Sequence, residues 1–290
     1  MAAKKYDLEI VNGLPEFKDD ITGEVRRLGT LAPTKESYER FARMMRSVRP
    51  VDPSSWQEFE HDPGPVKIKD QNGKGACNGH ACATSAEWAR KIALMQHVDL
   101  SAWFAYAIMC NGIDVGSMID EALKLATEQG LPPESDVDYG IINPRKLTAQ
   151  SYLSAAKNKV EKGEMIASFD EMMYATQRFA PGNFSIRVGG NFNNLDADGC
   201  PGFSPGMGNH AVTFGLGAKR GKGGEWMIKC QNSWTAQWGL KGYFWVSKKY
   251  IERQQYFQAY TVYAVHDSPD DPSNPKPVAK ASRPSRRRVA

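Results

Sequence analysis

The sequence predicts an α+β fold, with helices gathered in its first half and strands in its second. Two observations carry that prediction. Between Cys77 and Glu161, apolar residues recur at helical spacing in segments bounded by glycine and proline. After Pro181-Gly182 the period falls to two, and short alternating runs rich in β-branched and aromatic residues follow one another. A doubly wound sheet would interleave the two patterns instead of segregating them.

Residues 1–50 are polar and mixed. Their one periodic stretch, Ser37 to Met45, suits a short amphipathic helix, and a helix over 35–46 is expected to dock on the body of the protein. Arg49 to Trp56 holds Pro50 and Pro53 among turn formers and marks a boundary. The chain therefore divides into an extension over 1–50, a domain over 51–265 and a tail over 266–290. A tight turn at Gly73 and Gly75 feeds a largely buried helix from Cys77 to Gln96. Further helices are expected over Ser117–Gln129, closed by Gly130 and Pro132-Pro133, and over 149–161. Another starts at Ser168, where Ser168-Phe-Asp-Glu171 is a capping box. Strands are expected at Phe184–Val188, Ala211–Phe214, Glu225–Lys229, Gly242–Val246 and Ala259–Ala264.

The chain has 290 residues, of which 41% are hydrophobic and 24% charged, ordinary for a globular protein. The net charge of +4 is misleading as a sign of nucleic-acid or membrane binding. Residues 267–290 carry six Lys/Arg against three Asp, so +3 sits in the tail and +1 in the rest. That tail holds five of the seventeen prolines and almost nothing to bury, and it reads as disordered. It is expected to be solvated, or to touch an acidic protein surface or nucleic acid in a salt-sensitive way. No run of eighteen apolar residues exists, so no membrane partner is expected. The start lacks the apolar stretch of a secretory signal. Five scattered cysteines, Cys77, Cys82, Cys110, Cys200 and Cys230, then suit reduced thiols in a cytoplasmic setting, with at least one free.

Four polar residues stand out for chemistry. Cys77 opens a helix, where free N–H groups and the macrodipole favour a thiolate. A nucleophilic thiol needs a base, and the base needs an orienting group. His210 begins one expected strand and Asn232 follows another, so antiparallel pairing would set them side by side. Gln71 precedes Cys77 by six residues. His210 follows Cys77 by 133 residues and Asn232 by 155. Asn232-Ser-Trp-Thr-Ala-Gln-Trp-Gly-Leu-Lys-Gly-Tyr243 resembles the Asn-Ser-Trp-Gly-x-x-Trp-Gly-x-x-Gly-Tyr block of papain-like cysteine peptidases. With the order Gln71, Cys77, His210, Asn232, the chain resembles that family over roughly 51–265.

The resemblance implies a two-lobed fold, with a helical left lobe, an antiparallel β-barrel-like right lobe, and the site in the cleft between. Residues 1–50 lack the family's Glu-Arg-Phe-Asn-Ile-Asn prosegment pattern and would be a short prosegment covering that cleft, a brace for the lobes or a docking segment for a partner. It implies an endopeptidase acting on polypeptides without cofactor or metal. Cys77 would be the nucleophile, His210 its acid-base partner and Asn232 the group that orients the imidazole. Gln71 would stabilise the oxyanion with the Cys77 N–H, and Trp234 would shield the His–Asn contact. The family presents a glycine to the substrate backbone. Gly116 is the first candidate here and Gly112 the second, with Asn209 beside His210 as a further substrate contact. The chain departs from the pattern at Lys74, Asn78 and Thr235, where the family has a cysteine, an aromatic residue and a glycine; Asn78 puts the packing behind Cys77 in question. His80 reads as a hydrogen-bonded core histidine. Cys77-x-x-His80-x-Cys82 is set aside as a zinc site because position 82 lies off the face shared by 77 and 80. Asn194 to Gly199 opens like a calcium loop but meets Pro205 where the last ligand is needed. Two other readings are a silent papain-like member of a larger assembly, such as a viral particle, and a thiol transpeptidase or amidase.

Overall fold

The computed structural model describes residues 8–18, 23–31, 34–36, 39, 52–254 and 258–264. Helix α1 spans Cys77–Ile92 and starts on the cysteine itself. It is buried from Cys77 through Ala89, as its alanine-rich sequence requires. Helix α2, Ala102–Cys110, was not expected. Its segment AWFAYAIMC is apolar on every side, so it shows no amphipathic period. The available signal was Ser101, whose hydroxyl accepts from Phe104 N at 3.1 Å and caps the helix. Helix α3, Ile119–Glu128, follows, with Met118 N donating to Glu121 at 2.9 Å. These helices share a core of Leu100, Phe104, Ile119 and Leu123, which is the helical lobe.

Helix α4, Ala149–Ala155, stops short of the expected 161. The chain turns at Ala156 to Asn158 and returns as strand β5, Val160–Ile166. Gly163 hid that strand in the sequence. A Cβ there would lie 1.6 Å from Thr261 O, where the pairing with the last strand bulges. Helix α5, Phe169–Gln177, starts as expected with Ser168 accepting from Glu171 N at 3.2 Å. The Glu171 carboxylate reaches one residue further back, to Ala167 N at 2.7 Å.

The right lobe is a sheet in the order β5-β10-β6-β7-β8-β9, antiparallel throughout. The new strands are β6 Gly182–Ile186, β7 His210–Arg220, β8 Trp226–Gln231, β9 Tyr243–Ser247 and β10 Ala259–Ala264. The two-residue β4, Phe59–Glu60, pairs with β7, and helix α6, Lys248–Glu252, follows β9. Phe184, Phe192, Phe214, Trp238 and Phe244 fill its core. Helix α1 lies where the lobes meet, and Trp88 on it donates to Gln231 Oε1 at 2.8 Å. That packing brings the N-terminus of α1 against the start of β7.

The extension contributes a second sheet that the sequence reading did not anticipate. Strands β1 Glu9–Val11, β2 Leu14–Lys18 and β3 Val25–Arg27 pair antiparallel. Asn12 and Gly13 turn the first hairpin with φ of 51° and 82°. Asn-Gly between Ile10-Val11 and Leu14 is a hairpin signal that was available in the sequence. Leu14, Phe17 and Leu28 are buried, and Phe17 stacks on Trp234 at 5.4 Å. The helix expected over 35–46 lies outside the described residues except Lys35, Glu36 and Glu39, and so does the tail over 266–290.

Candidate active site

Cys77 stands at the first position of α1, His210 at the first of β7, and Asn232 just beyond β8. Pairing of Thr213 with Gln231 sets β7 beside β8. His210 Nε2 lies 2.8 Å from Asn232 Oδ1, which fixes the ring and leaves Nδ1 without a hydrogen-bond partner. Cys77, Ala81 and Ala211 touch, so the thiol sits beside the residue that follows His210. Trp234 is fully buried, with its ring 4.8 Å from that of His210. Its indole N–H and the Ser233 hydroxyl donate to Gln71 Oε1 at 3.1 and 2.9 Å. The Gln71 carboxamide is therefore held with its N–H₂ end outward, and that end donates to Arg27 O at 2.9 Å and Lys74 O at 2.7 Å.

Arg27 belongs to the extension, and so does the segment that passes over the thiol. After β3 the chain runs as a strap, Leu28 to Leu31, through the junction of the lobes. Ser117 N donates to Gly29 O at 2.8 Å, Leu31 N to Ser117 O at 3.0 Å, and Thr30 N to Asn209 O at 3.1 Å. Thr30 Oγ1 lies 3.3 Å from Cys77 Sγ. The strap pairs parallel to Ser117 and presents a hydroxyl to the thiol. Glycine is required at its closest passage, since a Cβ on Gly29 would lie 1.8 Å from Gly75 O. Salt bridges clamp both arginines: Arg26 to Asp70 at 2.7 Å and to Glu24, and Arg27 to Glu16 at 2.7 Å and Asp114 at 2.6 Å.

The fold thus gathers a cysteine at a helix start, a histidine tied to an asparagine and a glutamine six residues upstream of the cysteine. The family model for papain family cysteine proteases matches residues 53–264. The chain belongs to the papain family of cysteine proteases. Solved structures agree in fold. Xylellain, a cysteine protease from Xylella fastidiosa, has a TM-score of 0.60 at 19% identity, covering 82% of this chain and 91% of that one. The bromelain protease of Ananas comosus, in complex with an inhibitor, has a TM-score of 0.55 at 20% identity, covering 72% and 98%. The Amb a 11 cysteine protease of ragweed pollen, in its proform, has a TM-score of 0.58 at 16% identity, covering 83% and 76%. Comparison with curated protein sequences returned no match.

Within this papain-family site, the strap makes its backbone pairing with Ser117, next to Gly116. Gly116, with φ of 76°, lets the strap through, since a Cβ on it would lie 2.2 Å from Gly29 O. Gly112 faces Asn143 and is not brought to the strap. Asn209 presents its carbonyl, while its side chain is bonded to Val188 at 2.8 and 3.0 Å. Asn78 is fully buried behind Cys77. Its amide donates to Ser117 O at 2.7 Å and fixes the pairing edge. His80 is buried against Trp103, with Ala76 O and Asp70 O at 2.9 and 3.1 Å from its two nitrogens. All five cysteines are free, and Cys82 donates to Ala122 O at 3.4 Å. Gly29, Thr30, Arg26, Arg27, Asp70 and Asp114 carry no signal in the sequence, because strap contacts span long sequence separations and leave no local period.

The strap also sets the charge state. Burial raises the pKa of the Cys77 thiol, opposed by hydrogen bonds from Thr30 and nearby backbone N–H groups. Burial pushes His210 down to about 4; the Asn232 contact raises it, and the Arg26 guanidinium of the extension lowers it. Both groups are neutral under the strap, which is not the thiolate–imidazolium pair. Passing from this neutral pair to a thiolate–imidazolium pair moves a proton from Cys77 to His210 without net uptake, so strap release is expected to depend little on pH between about 7 and 5. Hydrogen-exchange protection of the Thr30 and Leu31 amides should change over that range no more than that of β8. A fall of about tenfold would show that His210 takes up a proton from solvent on release.

Proposed function

We propose that this protein is a cysteine endopeptidase kept latent by its own N-terminal segment. The observation that carries the reading is the His210 Nε2–Asn232 Oδ1 bond, which leaves the opposite ring nitrogen for the thiol. In the proposed reaction the Cys77 thiolate attacks the peptide carbonyl carbon. The resulting oxyanion is received by Gln71 Nε2 and the Cys77 N–H. Imidazolium His210 gives its proton to the leaving amine as the C–N bond breaks. Water, deprotonated by His210, then hydrolyses the thioester. Trp234 supports this by excluding water from the His–Asn bond and by aiming Gln71.

Latency has a geometric basis. Arg27 O occupies the Gln71 donor that the oxyanion would need, and Thr30 covers Sγ. The extension thus blocks both halves of the reaction while offering Cys77 a hydroxyl. Incubation with an unfolded protein under reducing conditions tests the reading. Cys77→Ala is expected to abolish cleavage, and Asn232→Ala to reduce it by roughly 10- to 100-fold, as loss of an orienting hydrogen bond does. Cleavage that persists in Cys77→Ala would refute it.

A further inference from the structure

We propose that Asp114 is the receptor for a basic side chain on the substrate residue that supplies the scissile carbonyl. This rests on the peptidase reading above. The carboxylate is built into the wall of the site. Its Oδ1 accepts from Gly75 N at 2.9 Å and from Tyr106 Oη at 2.5 Å, and Gly116 N donates to the same Tyr106 oxygen at 3.2 Å. Asp114 therefore ties together the two glycines between which Gly29 passes. Its side chain is only 11% exposed, and Oδ2 holds the Arg27 guanidinium at 2.6 Å.

Arg27 shows what the pair of anchor points selects. Its carbonyl oxygen is on Gln71 Nε2, and its guanidinium is on Asp114. One residue thus places its carbonyl on the oxyanion donor and its positive charge on the carboxylate. Gln71 and Asp114 are both fixed by the enzyme domain, so the two anchor points keep their places when the strap leaves. Glu16, the other partner of Arg27, lies on β2 and departs with the extension. Asp114 stays, and Oδ2 then lacks a cation. Departure of the extension opens Oδ2, and a substrate that brings a guanidinium to it gains a charge-assisted bond that a neutral side chain does not. The preference acts where the carbonyl is attacked and is specific to Asp114, Tyr106 and Gly75 of this chain.

Two fluorogenic peptides, identical except for Arg or Gln before the scissile bond, test this in the full-length protein. The readout is the ratio of their kcat/KM values, which is independent of the fraction of enzyme with the strap released. The ratio is expected to favour Arg by about 10- to 100-fold. Asp114→Asn should bring it near one, because its amide N–H would face the guanidinium, and Asp114→Glu should retain a preference. Absolute rates will rise in Asp114→Asn, since the strap loses a clamp. A ratio near one in the wild type, or a ratio that survives in Asp114→Asn, overturns the proposal. If no variant cuts either peptide, the peptidase reading fails by itself. Calorimetry of the Cys77→Ala protein with the same peptides then decides on Asp114: preference for the Arg peptide, lost on adding Asp114→Asn, upholds it, and equal affinity overturns it.

Discussion

Gly29→Val is expected to raise the rate at which the full-length protein cleaves an unfolded substrate by roughly a hundredfold. The strap reaches the site only because nothing projects from Gly29, where a Cβ would sit 1.8 Å from Gly75 O. Backbone cannot yield there, so the strap must. Three backbone hydrogen bonds, at Gly29 O, Thr30 N and Leu31 N, are lost together. At about 1 kcal/mol each, they shift the balance by about 3 kcal/mol, which matches the expected factor. The helical lobe's core holds no extension residue, but Phe17 and Leu28 belong to the sheet lobe's, so a modest fall in the thermal midpoint is expected. An unchanged cleavage rate would mean that the strap does not limit activity.

His210→Ala, placed in the Gly29→Val background, is expected to slow alkylation of Cys77 at pH 6 by about a hundredfold. An unassisted thiol with an ordinary pKa near 8.5 is only about 0.3% ionised at that pH, whereas a thiol paired with imidazolium is mainly thiolate. The helix N-terminus alone lowers a thiol pKa by less. Equal alkylation with and without the imidazole would place the activation of Cys77 elsewhere.

Much of the enzyme domain was legible because its signals are local. The Cys77 helix, the Ser168 cap and the alternating strands that bear His210 and precede Asn232 each announce themselves within a dozen residues. Helix α2 escaped because a segment buried on all sides has no polar face to mark its period. Strand β5 escaped because Gly163, needed for a bulge against Thr261, interrupts the alternation. The four polar residues Gln71, Cys77, His210 and Asn232 were legible as a spaced set. The edge that pairs with the strap was not: it is Ser117, whose carbonyl Asn78 holds through one side-chain bond that no spacing rule encodes. For the extension, covering the cleft was one of the expected roles, but its sheet and its route were not legible. Its hairpin signal at Asn12-Gly13 was present, but its destination in the cleft depends on Gly29 meeting Gly75 and Gly116, and only the three-dimensional fold brings those together.

The most direct test of a latent reactive thiol is competitive labelling. The Gly29→Val protein would be treated with a limiting thiol alkylator at pH 6, and the modification of each cysteine followed in time by mass spectrometry. Cys77 should be labelled first and selectively, ahead of Cys82, Cys110, Cys200 and Cys230, and should be slower in the wild type. If Cys77 reacts no faster than the other four in the strap-released protein, it is not an activated nucleophile, and the proposed function fails.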